Sequence, residues 1–213
     1  MIFKEFNSII IENKKGVSPV GIDTKLMAEH AGRLNVESVL EIGTGTGFVC
    51  IYLKKLGFDC QGTDVNNLAL DCANQNALRN NIEIEFYNSN LFENVNTKFD
   101  LILFNPPYGN SNSAFFSKIL EIIKSLLPKE NHLICNISFQ LVKKSRRKLI
   151  NEFLRDVDKF LNDKGRILIF LDPTELDLVK DFSFKIIDET PLRNTRLVLI
   201  NRKNKEKRNY APN

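Results

Sequence analysis

Apolar and polar positions change period again and again along these 213 residues. Ile2, Phe3, Phe6, Ile9 and Ile10 recur at helical spacing, which predicts an amphipathic helix over 2–12. After GVSPVGIDT, a second helix is expected from Asp23 or Thr24 as N-cap to about Leu34. SVLEIG reads as a strand, followed by a glycine-rich turn and a helix from about Gly47 to Leu56, with Gly57 as its C-terminal stop. FDCQGTD is a second strand, 67–79 a helix, and IEIEFY a third strand. FDLILF at 99–104 is continuously apolar, as in a parallel strand buried on both faces. Further on, the pattern predicts an apolar helix at 113–127 and a strand at HLICNISF (132–139). It then predicts a long helix over 141–161 and a strand at RILIFL. FSFKIID and TRLVLIN read as final strands, joined by a short loop containing Pro191. This β-α-β-α alternation argues for an α/β protein with a mostly parallel sheet and helices on both faces.

Length and composition narrow the class. The chain suits one domain, expected over 1–200, with 201–213 as a basic tail expected to be disordered. Apolar residues make up 43% and charged residues 26%, ordinary for a globular protein. No apolar run approaches the roughly 20 residues of a membrane span, and MIFKEFNSIIIEN lacks the basic start and cleavage site of a signal peptide. Cys50, Cys60, Cys72 and Cys135 form no C-x-x-C pair, and only His30 and His132 could join them. No metal site is expected, and the cysteines read as buried free thiols in a reducing cytoplasm. The net charge of +4 resides entirely in the last 13 residues, leaving 1–200 neutral. KKSRRK at 143–148 is a second basic cluster, read as a solvated helix face or as a contact for phosphates.

The first chemical signal is Glu41-Ile42-Gly43-Thr44-Gly45-Thr46-Gly47, between a strand and a helix. Glycines permit positive φ and close approach of backbone to a ligand, and a helix N-terminus offers unpaired N–H groups. Alone, the triplet also fits a mere tight turn. Asp64 ends the next strand, 21 residues after Gly43, where an acid can accept bonds from both ribose hydroxyls. Alone, it also fits a helix N-cap. The G-x-G-x-G spacing is not the dinucleotide fingerprint, and Glu41 would repel a pyrophosphate. An acid before the glycines suits a ligand with a cationic amino-acid end. Ribose, ammonium and carboxylate together describe S-adenosylmethionine. Asn88-Ser89-Asn90-Leu91 sits where an Asn could bond an adenine amino group and a Leu could cover the ring, or where a plain loop could run.

The most specific signal is Asn105-Pro106-Pro107-Tyr108 at the end of FDLILF. Two prolines fix φ and donate no N–H. The Asn105 side-chain oxygen and the Pro106 carbonyl can hold both hydrogens of one NH₂ group, and Tyr108 offers a face for a planar substrate. An amide or aryl amine is a poor nucleophile because its lone pair is delocalised. Accepting both N–H bonds frees that pair and stabilises the developing positive charge.

EIGTGTG, Asp64 and NPPY together resemble the class I S-adenosylmethionine methyltransferases. The nearest likeness is to the HemK-type protein-(glutamine-N5) methyltransferases of peptide-chain release factors, in their short archaeal and eukaryotic form. The resemblance covers about 17–110 and returns at 150–200, leaving 109–150 as a variable, substrate-side segment. Asp23-Thr24 lie four residues after Pro19, where the family has an acid-Thr pair three residues after a proline. The resemblance implies a Rossmann-like domain with a mostly parallel seven-stranded sheet. It assigns Asn105, Pro106, Pro107 and Tyr108 to the substrate. To S-adenosyl-L-methionine it assigns Glu41, Gly43, Thr44, Gly45, Gly47, Asp64, Val65, Asn90, Leu91 and Asn105. It also implies a small zinc-binding activator subunit as partner and a release factor as substrate. NPPYGNSNSAFF is similar to RNA adenine N6-methyltransferases as well, so the alternative substrate is the exocyclic amino group of a base in RNA or DNA.

Overall fold

The computed structural model describes residues 2–6, 8–107 and 132–203, with side chains at 8–107 and 144–203. The expected helix at 113–127, Tyr108 and residues 204–213 lie outside the described residues.

The N-terminus is a hairpin, not the helix its spacing predicts. β1 (Ile2–Phe6) pairs antiparallel with β2 (Ile9–Asn13). Ile9 and Ile11 are buried at 1% and 0% exposure while Ile10 is 44% exposed, which is a period of two. Three consecutive β-branched residues favour that pleat over a helix. β2 is held to the next layer by two asparagines. The Ile10 and Glu12 N–H groups donate to Asn80 Oδ1 (3.0 Å) and Asn76 Oδ1 (2.9 Å), and both amides return a bond to the carbonyls of the same two residues.

α1 (Ile22–Ala31) has Gly21 as N-cap, so Asp23 and Thr24 lie in its first turn rather than at its cap. β3 (Ser38–Ile42), α2 (Phe48–Lys55), β4 (Asp59–Asp64), α3 (Asn67–Arg79) and β6 (Phe99–Phe104) fall close to the predicted spans. β5 is shorter than IEIEFY, at Glu85–Asn88. HLICNISF is not a strand: α4 runs unbroken over His132–Asp156. No Gly or Pro separates 132–139 from the residues that follow, so nothing ends a strand and starts a helix there. The expected helix over 141–161 therefore begins earlier and stops at Asp156. A 3-10 turn, Val157–Phe160, leads into β7 (Leu161–Leu171). After a 3-10 turn at Pro173–Glu175 come α5 (Leu176–Lys180), β8 (Phe184–Leu192) and β9 (Thr195–Arg202). Pro191 lies inside β8 rather than in the loop; among the described residues β8 pairs only with β9, and an edge strand tolerates a residue without N–H. The turn is made instead by Arg193, with φ +52°.

The main sheet has seven strands in the order β5-β4-β3-β6-β7-β9-β8. The first four pairings are parallel and the last two antiparallel. Alternate residues fill two apolar layers. Val39, Leu101, Leu168 and Phe170 face α1 and α2. Leu40, Ile102, Ile167 and Ile169 face Ile150, Phe153 and Leu154 of α4. Cys50, Cys60 and Cys72 are buried free thiols. Among the described residues no helix is long and apolar enough to cross a membrane.

The chain goes from β3 outward to β4 and β5, then returns to place β6 on the other side of β3. This reversal opens a crevice at the carboxyl ends of β3 and β6, where open α/β sheets bind ligands.

Candidate active site

Register brings the chemical residues together. Ile42 pairs with Thr63 on one side and Phe104 on the other. The glycine loop, Asp64 and Asn105 thus leave neighbouring strand ends. They line one pocket of about 600 Å³.

The glycine loop is tied mostly to the end of β4. The Gly43 and Thr44 N–H groups both donate to the Thr63 carbonyl, at 2.7 and 2.8 Å, and Gly47 N–H donates to Thr44 at 2.9 Å. Gly45 N–H donates to Asp64 Oδ2 at 3.0 Å. These four loop amides are therefore engaged, and the side chains that the loop and β4 turn toward the pocket, Glu41 and Asp64, are acidic. Gly47 serves packing: its φ is +77°, and a β-carbon would stand 2.9 Å from Ala73 Cβ and 3.1 Å from Phe86 Cζ. It does not itself line the pocket.

Glu41 is 6% exposed. Its Oε2 accepts from Thr44 Oγ1 at 2.7 Å and from Cys50 Sγ at 3.1 Å. Burial pushes its pKa up to about 7, against the pull of those two bonds. Asp64 accepts from the N–H groups of Gly45 and Asn66, at 3.0 and 2.9 Å. Burial raises its pKa also, and the same backbone bonds oppose the rise. Val65, Asn90 and Leu91 complete that end of the pocket. Asn88 instead donates to the Val65 carbonyl and to Asn67 Oδ1, fixing the loop.

At the other end, Asn105 Nδ2 donates to Asp23 Oδ2 at 2.7 Å. A carboxylate accepts only, so the amide must present its nitrogen to Asp23 and its oxygen away. Asn105 Oδ1 is buried and has no hydrogen-bond partner among the described residues. A buried acceptor left unpaired costs about 1–3 kcal/mol, which marks it as an atom awaiting a donor. Pro106 is buried, Pro107 is exposed, and both line the pocket. The Pro106 carbonyl accepts from Arg146 Nη1. Arg146 belongs to the KKSRRK cluster yet is only 7% exposed, so that cluster is not uniformly a solvated face.

Residues 11–127, more than half of the chain, match the family described as Methyltransferase small domain. The chain belongs to this methyltransferase family. A putative protein N5-glutamine methyltransferase of Methanocaldococcus jannaschii is 35% identical over 69% of this chain and 68% of its own length. A release factor glutamine methyltransferase of Haemophilus influenzae is 34% identical over 49% of this chain but 42% of its own, so the chain spans under half of that relative. A ribosomal RNA small subunit methyltransferase C of Buchnera aphidicola is 36% identical over 58% of this chain and 40% of its own. Among solved structures, a Pyrococcus abyssi tRNA (uracil-54, C5)-methyltransferase in complex with S-adenosyl-L-homocysteine superposes with a TM-score of 0.62 at 18% identity. It covers 94% of this chain and 44% of its own. The fold is thus the Rossmann-like fold of methyltransferases, as the family resemblance implies.

Two side chains that bond the Asn105-Pro106 loop escape a reading of sequence. Asp23 reads as a helix start, and only its acid-Thr pairing hints otherwise. Arg146 is hidden among five basic residues; the one available signal is its place on the same helix face as Ile150 and Phe153, both fully buried.

Proposed function

We propose that this methyltransferase transfers the methyl group of S-adenosyl-L-methionine to a planar NH₂ nitrogen, the side-chain amide of a glutamine in a peptide-chain release factor. The observation that carries this reading is the Asn105 side chain, locked by Asp23 with its buried oxygen free to accept. The name of the Methanocaldococcus relative supports a protein glutamine, and that of the Haemophilus relative a release factor.

The residues fit the cofactor. Asp64 retains lone pairs for ribose hydroxyls, and Glu41 can neutralise an ammonium. Asn90 and Leu91 stand where an adenine would lie. When bound, S-adenosylmethionine supplies an electrophilic sulfonium methyl. Asn105 Oδ1 accepts one hydrogen of the substrate NH₂. The Pro106 carbonyl has two lone pairs; Arg146 takes one, and the other accepts the second hydrogen. Held this way, the nitrogen lone pair is released from conjugation, and the two oxygens face the positive charge that grows on nitrogen. Asp23 behind Asn105 adds to that stabilisation. The proton leaves late, so no metal or strong base is needed. Tyr108 would stack on the amide. We place the enzyme in the cytoplasm, with a small activator subunit as its partner.

An exocyclic base amino group is the second reading, favoured by the ribosomal RNA methyltransferase among the relatives. Against it, the basic cluster is largely engaged within the chain. Arg146 pairs with Glu175 at 2.9 Å, Arg147 with Asp177 at 2.6 Å and Lys148 with Glu152 at 3.8 Å. The test offers labelled S-adenosylmethionine with a release factor and with total RNA, each with and without a small activator. Label on the release factor, lost when the glutamine of its Gly-Gly-Gln loop becomes alanine, supports the glutamine reading. Label on RNA alone overturns it in favour of a base amine.

A further inference from the structure

The Arg146 guanidinium touches three separate parts of the chain. Nη1 donates to the Pro106 carbonyl, Nη2 to the Phe170 carbonyl at 2.9 Å, and Nε to Glu175 Oε1 and Oε2 at 2.9 and 3.2 Å. Glu175 is 4% exposed, and its Oε2 also accepts the Asp172 N–H at 2.8 Å. The pair is therefore buried, charge-balanced and fixed from both sides. Buried ion pairs seldom stabilise a fold better than apolar residues of the same shape. One that reaches the loop expected to hold the substrate invites a reading in terms of the reaction.

We propose that Arg146 is a positioning residue for methyl transfer: with Glu175 it aims the Pro106 carbonyl, the partner of Asn105 in holding the substrate NH₂. This rests on the reading of Asn105-Pro106 as the amide-holding loop. Proline fixes φ, and the following Pro107 confines ψ of Pro106 to the extended region, roughly +120 to +160°; within that range the carbonyl direction still varies by tens of degrees. A guanidinium anchored to the end of β7 and to the Pro173–Glu175 turn narrows what remains. It also binds α4, most of which belongs to the variable segment 109–150, to the Asn105-Pro106 loop. A bare cation here would oppose the positive charge growing on the substrate nitrogen. Glu175 removes that penalty, so the pair orients the carbonyl without an uncompensated charge. Lysine cannot replace it, because a compact ammonium has no planar fork to span three acceptors.

The test reads Arg146→Lys in the full chain. The expected result is a fall of at least tenfold in kcat, with S-adenosylmethionine affinity within twofold of wild type. In ¹⁵N NMR, the Asn105 side-chain amide resonance is expected to shift. A role confined to stability would lower Tm but leave kcat per folded molecule and the Asn105 resonance unchanged; that outcome overturns the proposal. Should Arg146→Lys fail to fold, Glu175→Gln keeps the shape while stripping the counter-charge, and the same two quantities decide. If the wild type methylates neither substrate, the proposed function fails. The NMR still decides Arg146 by whether its Nε–H and Nη–H protons are protected from exchange and whether the Asn105 resonance responds to substitution.

Discussion

Asp23 and Asn105, 82 positions apart, are joined by a 2.7 Å bond that decides which way the Asn105 amide faces. With Asp23 present, only the oxygen of Asn105 can point into the pocket. Replacing Asp23 by Ala removes that constraint, and a rotated amide would offer a donor where an acceptor is needed. Asp23→Ala is expected to lower kcat roughly 10²-fold, the scale seen when one preorganised polar group is lost from an active site. Cofactor affinity by calorimetry should stay within twofold. Asn105→Ala should abolish transfer with binding of S-adenosylmethionine intact.

Gly21 protects that bond from behind. A β-carbon at 21 would stand 2.3 Å from Asp23 Oδ1, closer than any contact permits. The carboxylate is the free end of a short side chain and would rotate aside, breaking its bond to Asn105 rather than unfolding α1. Gly21→Ala should therefore leave Tm within a few degrees of wild type while lowering kcat at least tenfold. A large loss of Tm with unchanged kcat would place the role of Gly21 in folding alone.

Glu41 ties the cofactor to pH. Its pKa in the folded chain is about 7, against 4.5 when unperturbed. The folded protein thus holds a proton that the unfolded chain releases between those values. Stability from this group is complete below about pH 4.5 and falls as pH rises toward 7, by an amount on the order of 3 kcal/mol. An ammonium beside Glu41 reverses the preference and favours the carboxylate. At pH 6, where an α-amino group is still charged, binding of S-adenosylmethionine should release close to one proton. Calorimetry in buffers of differing ionisation enthalpy measures it, and Glu41→Gln should remove it.

What the sequence made legible follows from how local the signals are. β3, α2, β4 and α3 each carry their period and their stop signals within a few residues, and the glycine loop and Asp64 fall where those elements end. NPPY is legible because two prolines after a buried strand have few structural uses. The N-terminal hairpin was not, since Ile9-Ile10-Ile11 fits either period and the choice is made by Asn76 on α3 and Asn80 at its C-cap. Nor was α4, whose first turns are apolar and β-branched but continue without a break to Asp156. The inward turn of Arg146 depends on Glu175, 29 residues away, and composition counts such a residue only as surface charge.

Asp64 carries the last prediction, because its two oxygens serve loop and ligand together. Oδ2 holds the Gly45 N–H and Oδ1 the Asn66 N–H, and the side chain lines the pocket. Hydrogen bonds to a charged acceptor contribute roughly 1.5–3 kcal/mol each. Asp64→Ala removes the ribose contact and the anchor of the glycine loop at once, so S-adenosylmethionine should bind at least tenfold more weakly, and more so than in Asp64→Asn. The amide retains one oxygen to accept from a backbone N–H, which keeps half of the loop in place while losing the charge. Calorimetric affinities ranked wild type, then Asn, then Ala separate the two contributions. Equal affinity in all three would remove Asp64 from the cofactor site and leave it a loop residue only.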